Sequence, residues 1–361
     1  MMETKLRDRF GRAIEYLRVS VTERCNMRCV YCVSPDDRAY APCAHLLQFE
    51  EIAAIVRVLA QHGLRRVRLT GGEPLVRPHI PELVHMLASI PGVADLSLST
   101  NGLLLPRYVD ALKRNGLKRV NISLDTLQPH KFRQISPVGR WEAVWAGIEA
   151  ALAAGLHPVK INCVLMRGIN DDEILDFAQL TLRYPLHVRF IELMPIGNYA
   201  FYHRGHQLPI REAKARCTRL GELVPMQEGK AIEGSPAWVF RLPDALGTLG
   251  FIGACTENFC SRCNRLRLNT DGYLYPWLGH GVRSDLKPAL QPPPAQREAM
   301  ILAAVMRAVD CKPAGHRLLT LQPHPVFRTL RAIGANLEPQ DGARAEISEW
   351  APPLIPLLER I

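Results

Sequence analysis

The sequence predicts an α/β protein whose strands run parallel in one sheet. Strand and helix patterns alternate between Phe49 and Tyr202, and repeated strand–helix units indicate a parallel sheet. Several predicted strands lead directly into short polar or glycine-containing segments, where parallel α/β proteins carry their sites. This pattern alone is compatible with a partial barrel and with a doubly wound Rossmann-type sheet.

The predicted elements follow in a regular order. An alternating strand at 17–24 precedes a helix at 50–61, in which Ile52, Ile55 and Leu59 share one face and after which Gly63 marks the end. Further strands are predicted at 65–70, 95–99, 118–124, 158–165 and 187–193, and further helices at 81–87, 106–114, 140–154 and 171–182.

The pattern weakens in the C-terminal third. Between 205 and 254 the clearest feature is a predicted strand at 238–242, and the prolines at 292–294 precede predicted helices at 296–310. We therefore expect a larger domain at 1–225 and a smaller one at 226–361.

Composition narrows the possible partners. The 361 residues carry a net charge of +10, which favours an anionic partner or substrate. No zinc-finger, RRM or KH pattern supports nucleic acid, and no apolar run or signal peptide supports a membrane location. We expect a cytoplasmic protein that binds a phosphorylated small molecule. A homodimer is compatible with the sequence, which does not give the oligomeric state.

Three cysteines form a CxxxCxxC motif after the first predicted strand. Cys25, Cys29 and Cys32 can ligate three irons of a 4Fe–4S cluster and leave the fourth open to a small molecule. The alternatives are three unrelated buried thiols or a structural zinc site, which prefers four protein ligands. The spacing is typical of a metal site.

The motif resembles that of the radical S-adenosylmethionine (SAM) superfamily, including the aromatic Tyr31 before the last cysteine. The resemblance implies an incomplete (β/α)6 TIM-like barrel at 1–225 and a smaller C-terminal domain. It also implies that the open iron binds SAM and that the reduced cluster cleaves it to a 5′-deoxyadenosyl radical.

Matched position by position, the superfamily implies a SAM site along the strand ends. The Gly71-Gly72-Glu73-Pro74 segment would hold the SAM amino group, and Ser123, with Asp125 nearby, would contact its ribose and amino-acid part. The implied SAM contacts are Tyr31, Gly72, Glu73, Ser123 and Met194, the last beside the adenine.

Longer segments resemble one family within this superfamily, the GTP 3′,8-cyclases of molybdenum cofactor biosynthesis. The matching segments are YLRVSVTERCN, RLTGGEPL, VNISLDTL, KINCVLMRGIN, RFIELMPIGN and FCSRCNRLRL, the last followed by DGYL. The resemblance implies a lyase, supplied by an electron donor, that moves a hydrogen from C3′ of GTP to the 5′-deoxyadenosyl radical. The C3′ radical then attacks C8, which leads to (8S)-3′,8-cyclo-7,8-dihydroguanosine 5′-triphosphate.

The same resemblance implies a set of GTP contacts rich in cations. Converging arginines suit phosphate oxygens, although each cation alone could equally be a solvated charge or part of a salt bridge. The implied contacts are Arg18, Arg68, Ser99, Lys160, Arg189, Arg265, Leu266 and Arg267, with Arg265 and Arg267 also expected to act in catalysis.

Two features depart from the family. Its second 4Fe–4S cluster uses three cysteines, but here Cys260 and Cys263 are followed by Trp277 at the third position, and an indole cannot ligate iron. Cys255 and His280 are the candidate substitutes. The family's C-terminal Gly-Gly is also absent, because the chain continues past the matching stretch, near residue 334.

Three functions therefore stay open at this point. The chain is a GTP 3′,8-cyclase, a related enzyme that cleaves SAM but acts on another substrate, or a non-catalytic iron–sulfur scaffold. The retained cations favour a nucleoside triphosphate, and the intact CxxxCxxC and GGEP motifs argue against the scaffold.

Overall fold

The computed structural model describes residues 5–32, 46–202, 205–226, 236–257, 259–277 and 282–315. The strands in these ranges are β1 (Tyr16–Ser20), β2 (Arg66–Thr70), β3 (Asp95–Thr100), β4 (Arg119–Ser123), β5 (Val159–Leu165), β6 (Leu186–Glu192), β7 (Val224–Pro225), β8 (Trp238–Arg241), β9 (Thr248–Ile252), β10 (Arg265–Leu268), β11 (Tyr273–Tyr275) and β12 (Ser284–Asp285).

Most of the helices connect successive strands. They are α1 (Phe49–Gln61), α2 (Ile80–Ala88), α3 (Leu105–Arg114), α4 (Pro129–Ile135), α5 (Trp141–Ala153), α6 (Ile174–Arg183), α7 (Tyr199–Tyr202), α8 (Ile210–Cys217), α9 (Lys287–Leu290) and α10 (Pro294–Asp310). Among these helices, none is long and apolar enough to cross a bilayer.

All the described strands join one sheet, in the order β12-β11-β10-β1-β2-β3-β4-β5-β6-β9-β8-β7. The six strands β1 to β6 run parallel, and β10 and β9 add one further parallel strand at either side. The outer strands pair antiparallel. The predicted α/β class with a parallel sheet is confirmed.

The parallel strands give the sheet one apolar and one polar face, because successive side chains point to opposite sides. Leu17 and Val19 of β1 and their counterparts on the neighbouring strands share one continuous core with the helices. We call the other side the polar face. Its residues include Tyr16, Arg18, Arg66, Arg68, Ser97, Ser99, Arg119, Asn121, Lys160, Asn162, His187, Arg189, Arg265 and Arg267.

Strand β1 ends earlier than the sequence pattern suggests. The prediction extended it to residue 24, but the main chain beyond Ser20 leaves the ladder and pairs with the loop after β2. Gly72 N–H donates to Thr22 O at 2.7 Å, and Glu73 N–H donates to Arg24 O at 2.8 Å. The segment after Ser20 therefore keeps the alternating sequence pattern of a strand, but its main chain hydrogen-bonds to the loop after β2 instead of to a neighbouring strand.

The predicted strand at 238–242 and the predicted helix at 296–310 are present as β8 and α10. Nine described elements without a clear local pattern were not predicted: α4, α7, α8, α9, β7, β9, β10, β11 and β12. Strands β9 and β10 lie beyond residue 225 yet join the same sheet as β1 to β6. The division of the chain at residue 225 stays a prediction.

Strand β9 offers a test of this architecture with two leucines three residues apart. Leu249 is fully buried in β9, whereas Leu246 is 61% exposed just before it. We expect Leu249→Ala to lower the free energy of unfolding by about 2–5 kcal/mol, because it leaves a cavity in the core. The control Leu246→Ala should change it by less than about 0.5 kcal/mol. If the two variants lost the same free energy of unfolding in urea denaturation, the buried position of Leu249 in β9 would be contradicted.

Candidate active site

The three N-terminal cysteines lie on one loop at the carboxyl edge of the parallel strands. All three are half-buried, Cys32 N–H donates to Cys29 O at 2.9 Å, and Met27 N–H donates to Cys25 Sγ at 3.4 Å. Burial, then Asp125 and the other two sulfurs, raise the pKa of the Cys29 thiol well above its ordinary value. Three cysteine thiols on one loop supply the number and type of ligand that a site-differentiated 4Fe–4S cluster uses.

The two glycines of the GGEP segment allow main chain to approach main chain. A Cβ on Gly72 would lie 2.4 Å from Arg24 O, and one on Gly71 would lie 2.3 Å from Thr22 O. Any side chain here would therefore push away the segment that leads into Cys25. The two glycines thus bring the loop after β2 against the loop that carries the cysteines, and their contact with SAM stays a prediction.

Glu73 fastens the ends of β2 and β3. Its fully buried carboxylate accepts hydrogen bonds from Thr100 Oγ1 at 2.8 Å, Asn101 N at 2.6 Å and Leu75 N at 3.1 Å. Burial raises the pKa of Glu73 to about 7, although these donors act to lower it. Asn101, which Glu73 holds, directs its amide towards Cys25 Sγ at 3.9 Å. Glu73 thus helps to position the cysteine loop through Asn101.

The other residues matched to SAM binding lie along the same edge. Tyr31 donates its hydroxyl to Asp125 Oδ2 at 2.8 Å, and Val164 N–H donates to Asp125 Oδ1 at 2.8 Å. Burial raises the pKa of Asp125 to about 6. Ser123 is exposed at the end of β4, and Met194 is half-buried after β6. The structure therefore brings the predicted SAM contacts to one edge of the sheet.

Besides Arg66, which pairs with Glu15, seven cations lie on the polar face behind this edge. This cationic cluster consists of Arg18, Arg68, Arg119, Lys160, Arg189, Arg265 and Arg267. Arg68 Nε donates to Ser97 Oγ at 3.2 Å, and Arg189 donates to Asn121 Oδ1 at 2.8 Å. Within the described part of the chain, the buried Nε atoms of Arg18, Arg189 and Arg265 have no acceptor. The cluster is therefore short of anions.

The charges of the cluster oppose one another. Burial, together with Arg189, Arg119 and Arg68, lowers the pKa of Lys160 to about 6. Burial also lowers the pKa of Arg68 to about 10, with Arg18, Arg119 and Arg265 contributing. A polyanion placed on this face would remove much of this repulsion, because phosphate oxygens accept hydrogen bonds from several guanidinium groups at once.

The remaining predicted GTP contacts divide between the two faces. Ser99 is half-buried on the polar face of β3. Leu266 is fully buried on the apolar face, between Arg265 and Arg267. Its side chain belongs to the core, so only its main chain is left for a ligand. Gly250, which was not predicted as a site residue, faces Arg189, and a Cβ there would lie 2.9 Å from Arg189 Cγ.

The second pair of cysteines lies at the opposite, amino edge of the sheet. Cys260 and Cys263 are buried just before β10. Lys312, also fully buried, directs its ammonium to Cys263 Sγ at 3.5 Å, Arg265 O at 2.8 Å and Pro276 O at 2.6 Å. Pro276 immediately precedes Trp277. Two thiols, an indole and an ammonium do not fit a cluster that needs three cysteine ligands.

One side chain from the N-terminal segment holds this region together. Arg12 pairs with Asp8 and donates to Cys260 O at 2.6 Å, Pro313 O at 2.6 Å and Ala314 O at 3.3 Å. The segment before β1, the cysteine pair and the segment after α10 thus meet on a single guanidinium group.

The candidate ligand Cys255 lies on another part of the sheet. It follows the carboxyl end of β9, where its N–H donates to Glu192 Oε2 at 2.7 Å and its thiol faces Leu193 O at 3.8 Å. Cys260 and Cys263 precede the amino end of β10. Strands β9 and β10 run in the same direction, because β9 is parallel to β6 and β10 is parallel to β1 within the parallel sheet, so the two sites lie at opposite edges. His280 and the stretch near residue 334 lie outside the described residues.

Sequence reasoning missed Tyr16, Arg119 and Lys312. Tyr16 lies two residues before Arg18, and Arg119 lies two residues before Asn121, so the two-residue period of a strand places both on the polar face. Lys312 carries no comparable local signal, because it reaches its partners through the tertiary fold.

Family models match most of the chain. The radical SAM superfamily model matches residues 19–181, and the Molybdenum Cofactor Synthesis C model matches residues 186–318. The GTP 3′,8-cyclase of Pelotomaculum thermopropionicum is 48% identical over 315 residues, which cover 87% of this chain and 96% of that protein. The GTP 3′,8-cyclase of Listeria monocytogenes is 39% identical over 337 residues, covering 91% and 99% respectively.

Solved structures support the fold. The chain is similar to anSMEcpe with bound AdoMet, with a TM-score of 0.51, 14% identity and 88% of each chain covered. It is also similar to Streptococcus suis SuiB bound to the precursor peptide SuiA, with a TM-score of 0.51, 12% identity and coverage of 76% of this chain and 63% of SuiB. The TIM-like radical SAM fold predicted from the resemblance is confirmed.

Iron content tests how many clusters these cysteines hold. We expect anaerobically reconstituted wild-type protein to bind about four irons per chain, and the Cys25→Ala/Cys29→Ala/Cys32→Ala variant to bind almost none. The matched Cys260→Ala/Cys263→Ala variant should keep its iron, because Lys312 and Trp277 leave the amino edge without a third ligand. About eight irons in the wild type, falling to about four in the first variant, would contradict this and direct attention to His280.

Proposed function

Because the chain belongs to the GTP 3′,8-cyclase family of radical SAM proteins, we propose that it is a lyase that converts GTP to (8S)-3′,8-cyclo-7,8-dihydroguanosine 5′-triphosphate in molybdenum cofactor biosynthesis. The family assignment rests on relatives that match nearly their whole length. The observation that carries the proposed substrate is the cationic cluster, which occupies the same sheet as the cysteine loop and the predicted SAM contacts.

The cationic cluster suits a nucleoside triphosphate in charge and in hydrogen-bonding capacity. Arg119 has Asp95 as its carboxylate partner. Arg68 and Arg189 donate to neutral side-chain oxygens, and the buried Nε atoms of Arg18 and Arg265 have no acceptor among the described residues. Guanidinium groups remain charged when buried, and each can donate two parallel hydrogen bonds to a phosphate. A bound triphosphate would neutralise the cluster and fix the ribose relative to the carboxyl edge.

The chain's residues divide the proposed reaction between the edge and the face. Cys25, Cys29 and Cys32 would hold the 4Fe–4S cluster, which supplies the electron that cleaves SAM to methionine and the 5′-deoxyadenosyl radical. The cationic cluster would hold GTP so that C3′–H faces that radical, because a hydrogen atom transfers only over a short, fixed distance.

The proposed sequence of bonds is balanced. The C3′–H bond breaks and its hydrogen forms a C–H bond at the 5′ carbon, which gives 5′-deoxyadenosine. The C3′ radical then forms the C3′–C8 bond. The product is completed by one electron from an external donor and one proton. Arg265 and Arg267 are proposed to act in this step by holding the nucleotide against β10.

Isotope transfer tests the proposal. The reconstituted protein is incubated anaerobically with SAM, dithionite and GTP deuterated at C3′. We expect deuterium in the 5′-deoxyadenosine and a cyclised nucleotide with the composition of unlabelled GTP, because the deuterium lost from C3′ is replaced by the one proton added with the external electron. Mass spectrometry and NMR identify both products. Cleavage of SAM without deuterium transfer would contradict GTP as the substrate.

A related enzyme with another substrate is the second candidate. The amino edge of the sheet favours this second candidate, because Trp277 stands where the family has its third cysteine and Lys312 contacts Cys263 and Pro276 there. Such an enzyme would still use the cationic cluster, so its substrate would carry phosphate. The two candidates differ in which phosphorylated compound stimulates SAM cleavage: GTP for the first, and a compound other than GTP for the second.

We further propose a cytoplasmic location and an external electron donor, with neither nucleic acid nor membrane as a partner. The proposed site residues all lie on one chain, so a homodimer would not be needed to complete the site. Absence of salt-dependent DNA or RNA binding would support the proposed exclusion of nucleic acid.

Proton uptake gives a further test of the cationic cluster. Because the pKa of Lys160 is lowered to about 6 in the free protein, Lys160 is mostly neutral above that pH. Bound phosphate favours the charged form and raises this pKa, so binding should take up as much as about one proton and weaken as the pH rises. Calorimetry in buffers of different ionisation enthalpy measures the uptake.

Two lysine variants separate this effect from general electrostatics. Lys160→Met should bind GTP without the proton uptake, whereas Lys118→Met, at an exposed position, should behave like wild type. The same uptake in Lys160→Met and wild type would show that another group takes up the proton.

A further inference from the structure

The hydroxyl of Tyr16 is a buried polar group that the fold does not use. Tyr16 begins β1 on the polar face and is only 6% exposed. Its oxygen has no hydrogen-bond partner among the described residues. Burying a hydroxyl without a partner costs free energy, and native proteins seldom do so without a reason. An orphaned hydroxyl beside a proposed substrate site suggests a partner that arrives with the substrate.

The ring of Tyr16 lies between arginines of the two strands that flank β1. The guanidinium carbon of Arg68 lies 5.4 Å from the ring centroid, and those of Arg66 and Arg265 lie 6.0 Å from it. Strand register explains this arrangement, because Tyr16 pairs directly with Arg66 on β2 and Arg265 on β10. Cations at these distances are attracted to an aromatic face. Tyr16 therefore joins the cationic cluster across β1.

The electrostatic surroundings of the hydroxyl favour an anion beside it. Burial acts to raise the pKa of the phenol, but Arg68, Arg18, Arg265 and Arg119 outweigh it and hold the pKa below its ordinary value. The same positive potential that favours a phenolate also favours a phosphate oxygen next to the hydroxyl. A phenol hydroxyl can donate a hydrogen bond to such an oxygen. It cannot donate one to the surrounding cations, because arginine and lysine side chains carry no acceptor.

We propose that Tyr16 is a further substrate contact, whose hydroxyl donates a hydrogen bond to a phosphate oxygen of the bound nucleotide and whose ring keeps Arg68 and Arg265 in position. The identity of the nucleotide rests on the proposed function. The contact itself rests on the orphaned hydroxyl and the arginines around it.

This role predicts opposite effects on stability and on binding. Tyr16→Phe keeps the ring and removes the orphaned hydroxyl, so the free protein should melt at the same temperature or higher. The same variant should bind GTP about tenfold more weakly, because it loses a hydrogen bond to a charged group. A purely structural tyrosine would instead lower the melting temperature when changed. Tyr16→Leu, which also removes the ring, should weaken binding further than Tyr16→Phe.

The experiment compares these variants with a matched control by calorimetry. Tyr108 on α3 also lies beside an arginine, with Arg107 5.7 Å from its ring centroid, but it is remote from the polar face, so Tyr108→Phe should bind like wild type. GTP, inorganic tripolyphosphate and guanosine serve as probes. Tyr16→Phe should weaken binding of GTP and tripolyphosphate alike. At saturating GTP its kcat should stay near the wild-type value while KM rises about tenfold.

Each outcome leads to a distinct conclusion. Equal affinity of Tyr16→Phe and wild type for GTP would overturn the Tyr16 contact alone. A loss confined to GTP, with tripolyphosphate unaffected, would overturn its assignment to phosphate. A lower melting temperature together with unchanged KM would show a structural role and overturn the proposal. If wild type bound neither GTP nor tripolyphosphate, the proposed function would fall together with this contact.

Discussion

The two-residue alternation of the parallel strands is the constraint on which the rest of the structure depends. It sends every second side chain into the helical core and the others onto the polar face. Since neighbouring strands are held in register by main-chain hydrogen bonds, Arg267, Arg18, Arg68 and Ser97 lie side by side. A shift of one residue in a single strand would exchange an arginine for a core aliphatic residue. The register of the strands therefore determines which face carries the charges of the site.

Buried carboxylates hold the loops that the alternation cannot position. Glu73 joins the ends of β2 and β3, and Asp125 joins Tyr31 to the end of β5. Glu192 accepts from the main chain of Ile210, Cys255 and Thr256 at 2.7–2.9 Å. Each carboxylate is desolvated but surrounded by donors, which makes such a network rigid once it has formed. The carboxyl edge can therefore hold a reactive centre on loops that have few ladder hydrogen bonds.

The sequence was informative where a local pattern determines the structure and less so where distant residues do. Strands β2 to β6 and the GGEP turn follow from alternation and glycine placement, and the cysteine motif follows from its spacing. Strand β9 contains Gly250, which weakens its local pattern, and it is held in place by β6 and β8. Lys312 could not be foreseen, because its acceptors are 36 to 49 residues away in the chain. The position of Tyr16 on the polar face could have been predicted, because it lies two residues before Arg18 on the same strand.

Strands β9 and β10 are close in sequence, yet they cover opposite sides of the six-stranded sheet, beside β6 and β1 respectively. During synthesis, β1 to β6 emerge from the ribosome first, and both outer strands of that sheet then present unpaired N–H and C=O groups. Such edges pair readily with other chains. The nascent protein stays open to this mispairing until residue 268 has emerged, when one short segment of chain covers both edges. The interval in which these two edges are unpaired therefore ends with the same strand that carries Arg265 and Arg267.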